Sequence, residues 1–151
     1  MAKGQASAEL LTVISIMAAL MLPLLLLSYI NASSSAQKTS LAVATAAASQ
    51  IASTSDSVGY LGEGSSMLAE IEMPPNVQAI EIRNSQRVSE IVLNISTSSG
   101  YTQLVFLSRF QISANGADLK RLATVGLHRV KISAQGNSDG LGMGTVQLEV
   151  L

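Results

Sequence analysis

Residues 3–30 read KGQASAELLTVISIMAALMLPLLLLSYI and constrain the chain more than any other segment. From Leu10 to Ile30 the sequence is an apolar run of 21 residues without a charged side chain. As a helix, this run is long enough to span the hydrocarbon core of a bilayer, which is about 30 Å thick. Glu9 precedes the run, and no basic residue follows Lys3 until Lys38. Because a charge inside a bilayer costs about 2.5–3.5 kcal/mol at its centre and less near its surface, we expect Glu9 to have a functional partner.

Residues 1–30 contain four features in a fixed order: a basic leader, a glycine, the motif Gln-x-Ser-x-Glu and a long apolar helix. This order resembles the class III signal peptide of archaeal type IV pilin-like proteins, in which a prepilin peptidase cleaves after the glycine. The resemblance implies a leader at residues 1–4 and a processing site between Gly4 and Gln5. It also implies that Glu9 becomes the fifth mature residue, where pilins carry a glutamate.

The same resemblance implies partners and a location. The partners are copies of the chain in a helical filament, the prepilin peptidase and the pilus assembly machinery. The subunit is expected in the cytoplasmic membrane before assembly and in an extracellular filament at the cell surface afterwards.

Charge pairing gives Glu9 and Gln5 a role in filament assembly. Cleavage frees an α-amino group on Gln5, which is largely cationic at neutral pH, and a helix N-terminus adds partial positive charge. Glu9 of an adjacent subunit can pair with this amine, and in a filament core of low dielectric an unmatched Glu9 is penalised. The pair therefore favours one axial stagger, as buried polar groups set register in coiled coils. The alternative is a carboxylate that reaches the headgroups from a plain membrane anchor.

Two ordinary membrane interpretations compete with this one. A secretory signal peptide has an apolar core of about 7–15 residues, which is shorter than this run. A plain N-terminal anchor fits the length, and Lys3 favours an N-terminus inside the cell. The plain anchor does not account for Glu9 or for the small residues 6–8, which permit close approach of helices.

Pro23 lies inside the apolar run. It lacks a backbone donor and clashes with the carbonyl of Ala19, so we expect a kink or a loosened turn there. Bacterial type IV pilins carry a proline in a similar place, associated with a locally unwound stretch. A tolerated kink in a membrane helix is an equally good interpretation.

The remaining segments predict a long helix and then a sheet domain. Residues 31–58 are rich in alanine, with apolar residues at near-helical spacing, so we predict one helix over 5–58. Its membrane or filament core is 5–30 and its amphipathic extension is 31–58; a flexible Ser/Ala stalk is the alternative to the extension. Residues 59–66 are expected to form a Gly/Ser linker, with Gly59 as the helix C-cap.

Beyond the linker the apolar period changes to two, which predicts a β-rich head domain over 67–151. We expect an antiparallel sheet or small sandwich, with turns at residues 74–76 and 84–86 and one helical turn at Ala117–Leu122. A helix followed by strands gives the α+β class. The predicted strands are Met67–Met73, Val77–Arg83, Val88–Ile95, Thr102–Phe106, Arg109–Ser113, Gly126–Ala134 and Thr145–Leu151.

Composition and motifs argue against catalysis and nucleic-acid binding. The chain has no cysteine, its charged residues are 13%, below the usual ~25%, and its net charge is −1. His128 is the only histidine and has no triad spacing. The glycines of 59–64 and 140–144 precede strands, whereas phosphate loops precede helices. We therefore expect no enzyme, no catalytic, cofactor-binding or metal site, and no nucleic-acid partner.

Two N-glycosylation sequons occur, at Asn31-Ala32-Ser33 and Asn94-Ile95-Ser96. Asn94 alternates with apolar Leu93 and Ile95 on a predicted strand, so its side chain should face solvent. Asn31 follows the apolar run and is expected among packed helices in a filament. We favour Asn94.

Three functions fit the sequence. The first is a structural subunit of an extracellular pilus-like filament used for adhesion or surface attachment. The second is a minor pilin or pseudopilin of an assembly or secretion machine, and the third is a membrane-anchored extracellular binding domain. An archaellin is less favoured, because Glu9 and its motif fit the pilin branch better.

Overall fold

A computed structural model describes residues 2–85, 88–98, 100–136 and 144–151, with side chains from residue 8 onward. The chain divides into two compact units at the boundary between Lys38 and Thr39. A long N-terminal helix is followed by two β-sheets. The predicted α+β class is therefore confirmed.

Helix α1 runs from Ala2 to Leu61, a length of 60 residues, and continues through Pro23. Its hydroxyl side chains bond to the helix itself. The Oγ1 of Thr12 and the Oγ of Ser15 donate to carbonyls four residues earlier, at 2.9 and 2.8 Å. These bonds satisfy the hydroxyls without water, so α1 tolerates polar residues inside an apolar segment.

The end of α1 differs from the expected cap at Gly59. Gly59 lies inside the helix, where a Cβ would come within 2.4 Å of the Phe110 ring, so glycine is needed there for close packing. Gly62 instead adopts a φ of +85°, and its N–H donates to the carbonyl of Val58 at 3.3 Å. A left-handed glycine after the last turn is a common helix terminator. The connection to the first strand is residues 62–65; the division into leader, helix, linker and head stays a prediction.

Among the described residues, seven strands and one short helix follow α1, within two residues of the positions that the sequence predicts. The short helix, α2, spans Gly116–Leu122, and the side chain of Asn115 caps it by accepting from the N–H of Ala117. The strands are β1 Ser66–Met73, β2 Val77–Asn84, β3 Ser89–Thr97, β4 Gly100–Ser108, β5 Gln111–Ala114, β6 Gly126–Gln135 and β7 Thr145–Val150.

The strands form a four-stranded sheet of order β1-β6-β7-β5 and a three-stranded sheet of order β2-β3-β4. All pairs are antiparallel except β5 with β7, which is parallel, with Gln111 opposite Thr145. The predicted antiparallel sheet thus includes one parallel pair, which the sequence pattern does not distinguish because side-chain alternation is the same for both directions. The turn at residues 74–76 leads from one sheet to the other. The predicted turn at 84–86 lies partly outside the described residues.

The core of the unit that begins at Thr39 combines α1 with the inward faces of both sheets. The contribution of α1 is a stripe of small and branched residues at helical spacing. From the sheets, Ile71, Ile91, Leu93 and Ile132 are fully buried. Each such side chain contributes about 1.5–3 kcal/mol by leaving water. The buried residues of α1 are Ala44, Ala47, Ala48, Ile51, Ala52, Ser55 and Val58.

Candidate functional site: an apolar helical segment

The segment of α1 from Leu10 to Ile30, called here the apolar segment, exposes its large side chains on every side. Their exposed fractions run from 50% at Val13 to 75% at Tyr29. Four consecutive leucines, residues 24–27, are among them, so the exposure covers the whole circumference of the helix. A helix that is apolar all round requires apolar surroundings.

The energetic consequence for the apolar segment is large. Burying one large apolar side chain is worth about 1.5–3 kcal/mol, so this segment loses on the order of tens of kcal/mol if it stays in water. By length and composition it could cross and anchor in a membrane. Surroundings of lipid or of other apolar helices would satisfy the requirement.

Glu9 stands at the start of the apolar segment and is exposed. Within the described part of the chain, ion pairs join Arg83 to Glu81 at 2.7 Å and Arg129 to Glu70 at 3.1 Å. Neither pair includes Glu9, so its carboxylate is available to a group on another molecule. Gly4 and Gln5 belong to α1, but their side chains lie outside the described part, so cleavage and charge pairing stay predictions.

Pro23 interrupts the hydrogen bonding of α1 without ending the helix. Because proline has no N–H, the carbonyl of Ala19 receives no bond from residue 23. The kink itself stays a prediction.

The two sequons lie in different environments. Asn31 is exposed on α1. Asn94 is half-buried on β3, the central strand of its sheet, and its Nδ2 donates to Oε1 of Glu81 at 3.3 Å. A glycan would be attached at that nitrogen, so Asn31 is the more accessible of the two in the single chain. Modification of either stays a prediction.

A second arrangement, not foreseen from the sequence, fixes the last turns of α1 to the connection between β4 and β5. One carboxylate oxygen of Asp56 accepts from the Ser108 hydroxyl at 2.7 Å and from the backbone N–H of Arg109 at 2.8 Å. The Arg109 guanidinium donates to the Tyr60 hydroxyl at 2.7 Å. This hydrogen bond, aided by the nearby charge of Asp56, raises the pKa of Arg109.

Aromatic packing completes this arrangement. The rings of Tyr60 and Phe110 meet edge to face, with centroids 5.1 Å apart, and Phe110 also covers Gly59. Only Asp56 offered a signal in the sequence, as a carboxylate within a nearly uncharged helix. The group of Asp56, Tyr60, Ser108, Arg109 and Phe110 thus holds the end of α1 against the sheets.

His128 makes a local structural contact. The Nε2 atom of His128 lies 2.7 Å from the carbonyl oxygen of Thr124. Across residues 2–85, 88–98, 100–136 and 144–151, histidine and carboxylate side chains form no group that could hold a metal ion.

No protein-family model, curated protein or solved structure matches the chain. The structure itself defines the class: an α+β protein in which a long apolar N-terminal helix precedes a β-sheet domain. This architecture is consistent with that of pilin-like proteins.

Proposed function

We propose that this chain is a structural subunit of an extracellular archaeal type IV pilus-like filament, which assembles through α1 and serves in adhesion or surface attachment. The observation that carries the proposal is the exposed, uncharged apolar segment with Glu9 at its start. The apolar segment would hold the subunit in the membrane before assembly. Glu9 would make a specific contact with a neighbouring copy in the filament.

Assembly exchanges one apolar environment for another. In the membrane, lipid surrounds the apolar segment. Once the subunit leaves the membrane, only other copies of the segment offer a comparable apolar surface. After a prepilin peptidase cleaves behind Gly4, the amine of Gln5 pairs with Glu9 of a neighbour and fixes the stagger of the helices.

Shearing of cells that make the chain tests the proposal. We expect the protein in the sheared fraction as fibres visible by electron microscopy and labelled by antibodies against the sheet domain. Fibres in which the chain is a rare component would indicate a minor pilin. Recovery solely as a detergent-extracted monomer would contradict the filament and favour an anchored binding domain.

A matched pair of variants asks whether the fibres are built through α1. Leu20 in the apolar segment and Leu127 on β6 are equally exposed, at 65% and 64%. Leu20→Lys places a charge where apolar surroundings are required, so we expect it to remove the fibres from the sheared fraction. Leu127→Lys should leave them. Equal fibre yields from the two variants would contradict assembly through α1.

A further inference from the structure

The two sheets have four edge strands: β1 and β5 in the first, β2 and β4 in the second. Natural proteins protect sheet edges with charges or with short strands. Strand β1 carries two glutamates, β2 carries Glu81 and Arg83, and β5 has 4 residues. Strand β4 has 9 residues, from Gly100 to Ser108, with neither charge nor proline. It is the edge without protection among the described strands.

The outer face of β4 is apolar as well, apart from the exposed Gln103. Tyr101, Val105 and Leu107 are 83%, 52% and 63% exposed. Val105 lies opposite Val92 of β3. Val92 alternates with the core residues Ile91 and Leu93, so it belongs to the outer face, and yet it is fully buried. An apolar strip therefore reaches the free edge of the sheet.

We propose that β4 pairs antiparallel with β4 of a second copy of this chain. Self-pairing in the register that sets Val105 opposite Val105 of the other copy makes a favourable apolar cross-strand pair at the two-fold axis, and it brings no like charges together because β4 carries none. Pairing with β1 or β2 of a copy would instead desolvate a carboxylate, such as Glu70 or Glu81, next to these apolar side chains. Charge thus disfavours β1 and β2, and β5 has only 4 residues, which leaves the second β4 as the occupant.

The pairing closes on itself. It joins two three-stranded sheets into one of six strands, whose outer edges are the two β2 strands with Glu81 and Arg83. Those charges oppose further strand addition, so association stops at two sheet domains. The contact is a closed dimer contact and does not propagate as an open sheet.

The symmetry of the β4 contact determines which subunits it can join in a filament. This step rests on the proposed function. Two identical antiparallel strands are related by a two-fold axis. Subunits of one helical filament all point in the same direction, so a two-fold contact cannot join neighbours within it. The β4 edge therefore joins two filaments side by side into bundles.

Cysteine cross-linking tests the contact in the full-length chain, which has no natural cysteine. Opposed residues in antiparallel strands lie about 4.5–5.5 Å apart at Cα, within reach of a disulfide. In the register that opposes Val105 to its own copy, Val105→Cys lies on the two-fold axis and faces the second cysteine. Glu72→Cys, on the charged edge β1, is the control. On oxidised cells we expect Val105→Cys to give at least fivefold more covalent dimer than Glu72→Cys; equal yields would overturn the pairing.

Electron microscopy of the same cells separates this contact from filament formation. Wild-type filaments should be bundled, and Val105→Lys and Val105→Glu should each give single filaments. Production of both variants together should restore the bundles, because opposite charges then meet at the axis. If wild-type filaments are single and the Val105→Cys chain stays monomeric, the β4 pairing is overturned and the proposed filament function is not. Covalent Val105→Cys dimers in membranes without filaments would support the pairing and overturn the proposed function.

Discussion

At the scale of single residues, Glu9 and Asp56 show what one carboxylate can do in a nearly uncharged helix. Glu9 was recognisable in the sequence because its position, directly before a long apolar run, is costly without a partner. Asp56 was not recognised, because its partners Ser108 and Arg109 lie 52 and 53 residues away. The sequence indicates the role of a carboxylate when the free-energy cost of its charge arises from neighbouring residues. It does not indicate that role when the partners are distant in the chain.

Substitution of Glu9 separates a filament subunit from a plain anchor. Glu9→Ala leaves the neighbouring amine desolvated, a loss on the order of a few kcal/mol per subunit, so the yield of sheared polymer should fall strongly. Glu9→Gln keeps the size and hydrogen bonding of the side chain and should have a milder effect. The amount of polymer per cell is measured against total protein.

Controls for this experiment use the head of the same chain. Glu72→Ala removes from β1 a carboxylate that is also exposed and should leave the polymer yield unchanged. Both Glu9 variants should still be processed and should keep the sheet domain folded. A plain anchor predicts unchanged or improved surface display, so wild-type polymer in Glu9→Ala would defeat the role assigned to this residue.

At the scale of elements, the positions of the strands were predictable and their partners were not. A period of two located each of the strands in the described part of the chain to within two residues, because a strand buries one face against the core. The parallel direction of β5 and the passage from β1 to the other sheet depend on contacts between distant segments. Neither feature changes the local alternation of apolar and polar residues.

The C-terminal turn of α1 provides a test at this scale. An alanine in place of a helical glycine normally stabilises a protein by about 1 kcal/mol. At Gly59 the added Cβ would overlap the Phe110 ring, and such overpacking costs about 1–3 kcal/mol. We therefore expect Gly59→Ala to lower the Tm of the detergent-solubilised chain by a few degrees, measured by circular dichroism.

Gly116 at the start of α2 is the matched control, since a Cβ there meets no atom within 4 Å. Gly116→Ala should leave the Tm unchanged or raise it. Reducing the ring in the double variant Gly59→Ala/Phe110→Leu should recover part of the loss. A Gly59→Ala chain as stable as the wild type would show that Phe110 does not require a glycine beneath it.

At the scale of the whole molecule, one chain carries two units with opposite requirements. The unit from Thr39 to Leu151 has its own core. The unit that ends at Lys38 contains the exposed apolar segment, which demands lipid or other copies. The sequence placed its boundaries elsewhere, at 30/31 and between 58 and 67, and that division stays a prediction; the β4 edge became visible only when the strand order was known.

Cryo-electron microscopy of the sheared fibre, with the N-terminal mass of its subunit, tests the filament most directly. The account predicts a bundle of helices at the fibre axis, with Leu10–Ile30 buried between copies, Gln5 as first residue and Glu9 beside the N-terminus of a neighbour. A cyclised Gln5, detected as loss of ammonia, would remove the charge pair. A fibre whose axis lacks these helices, or a surface subunit that retains Met1, would contradict the account.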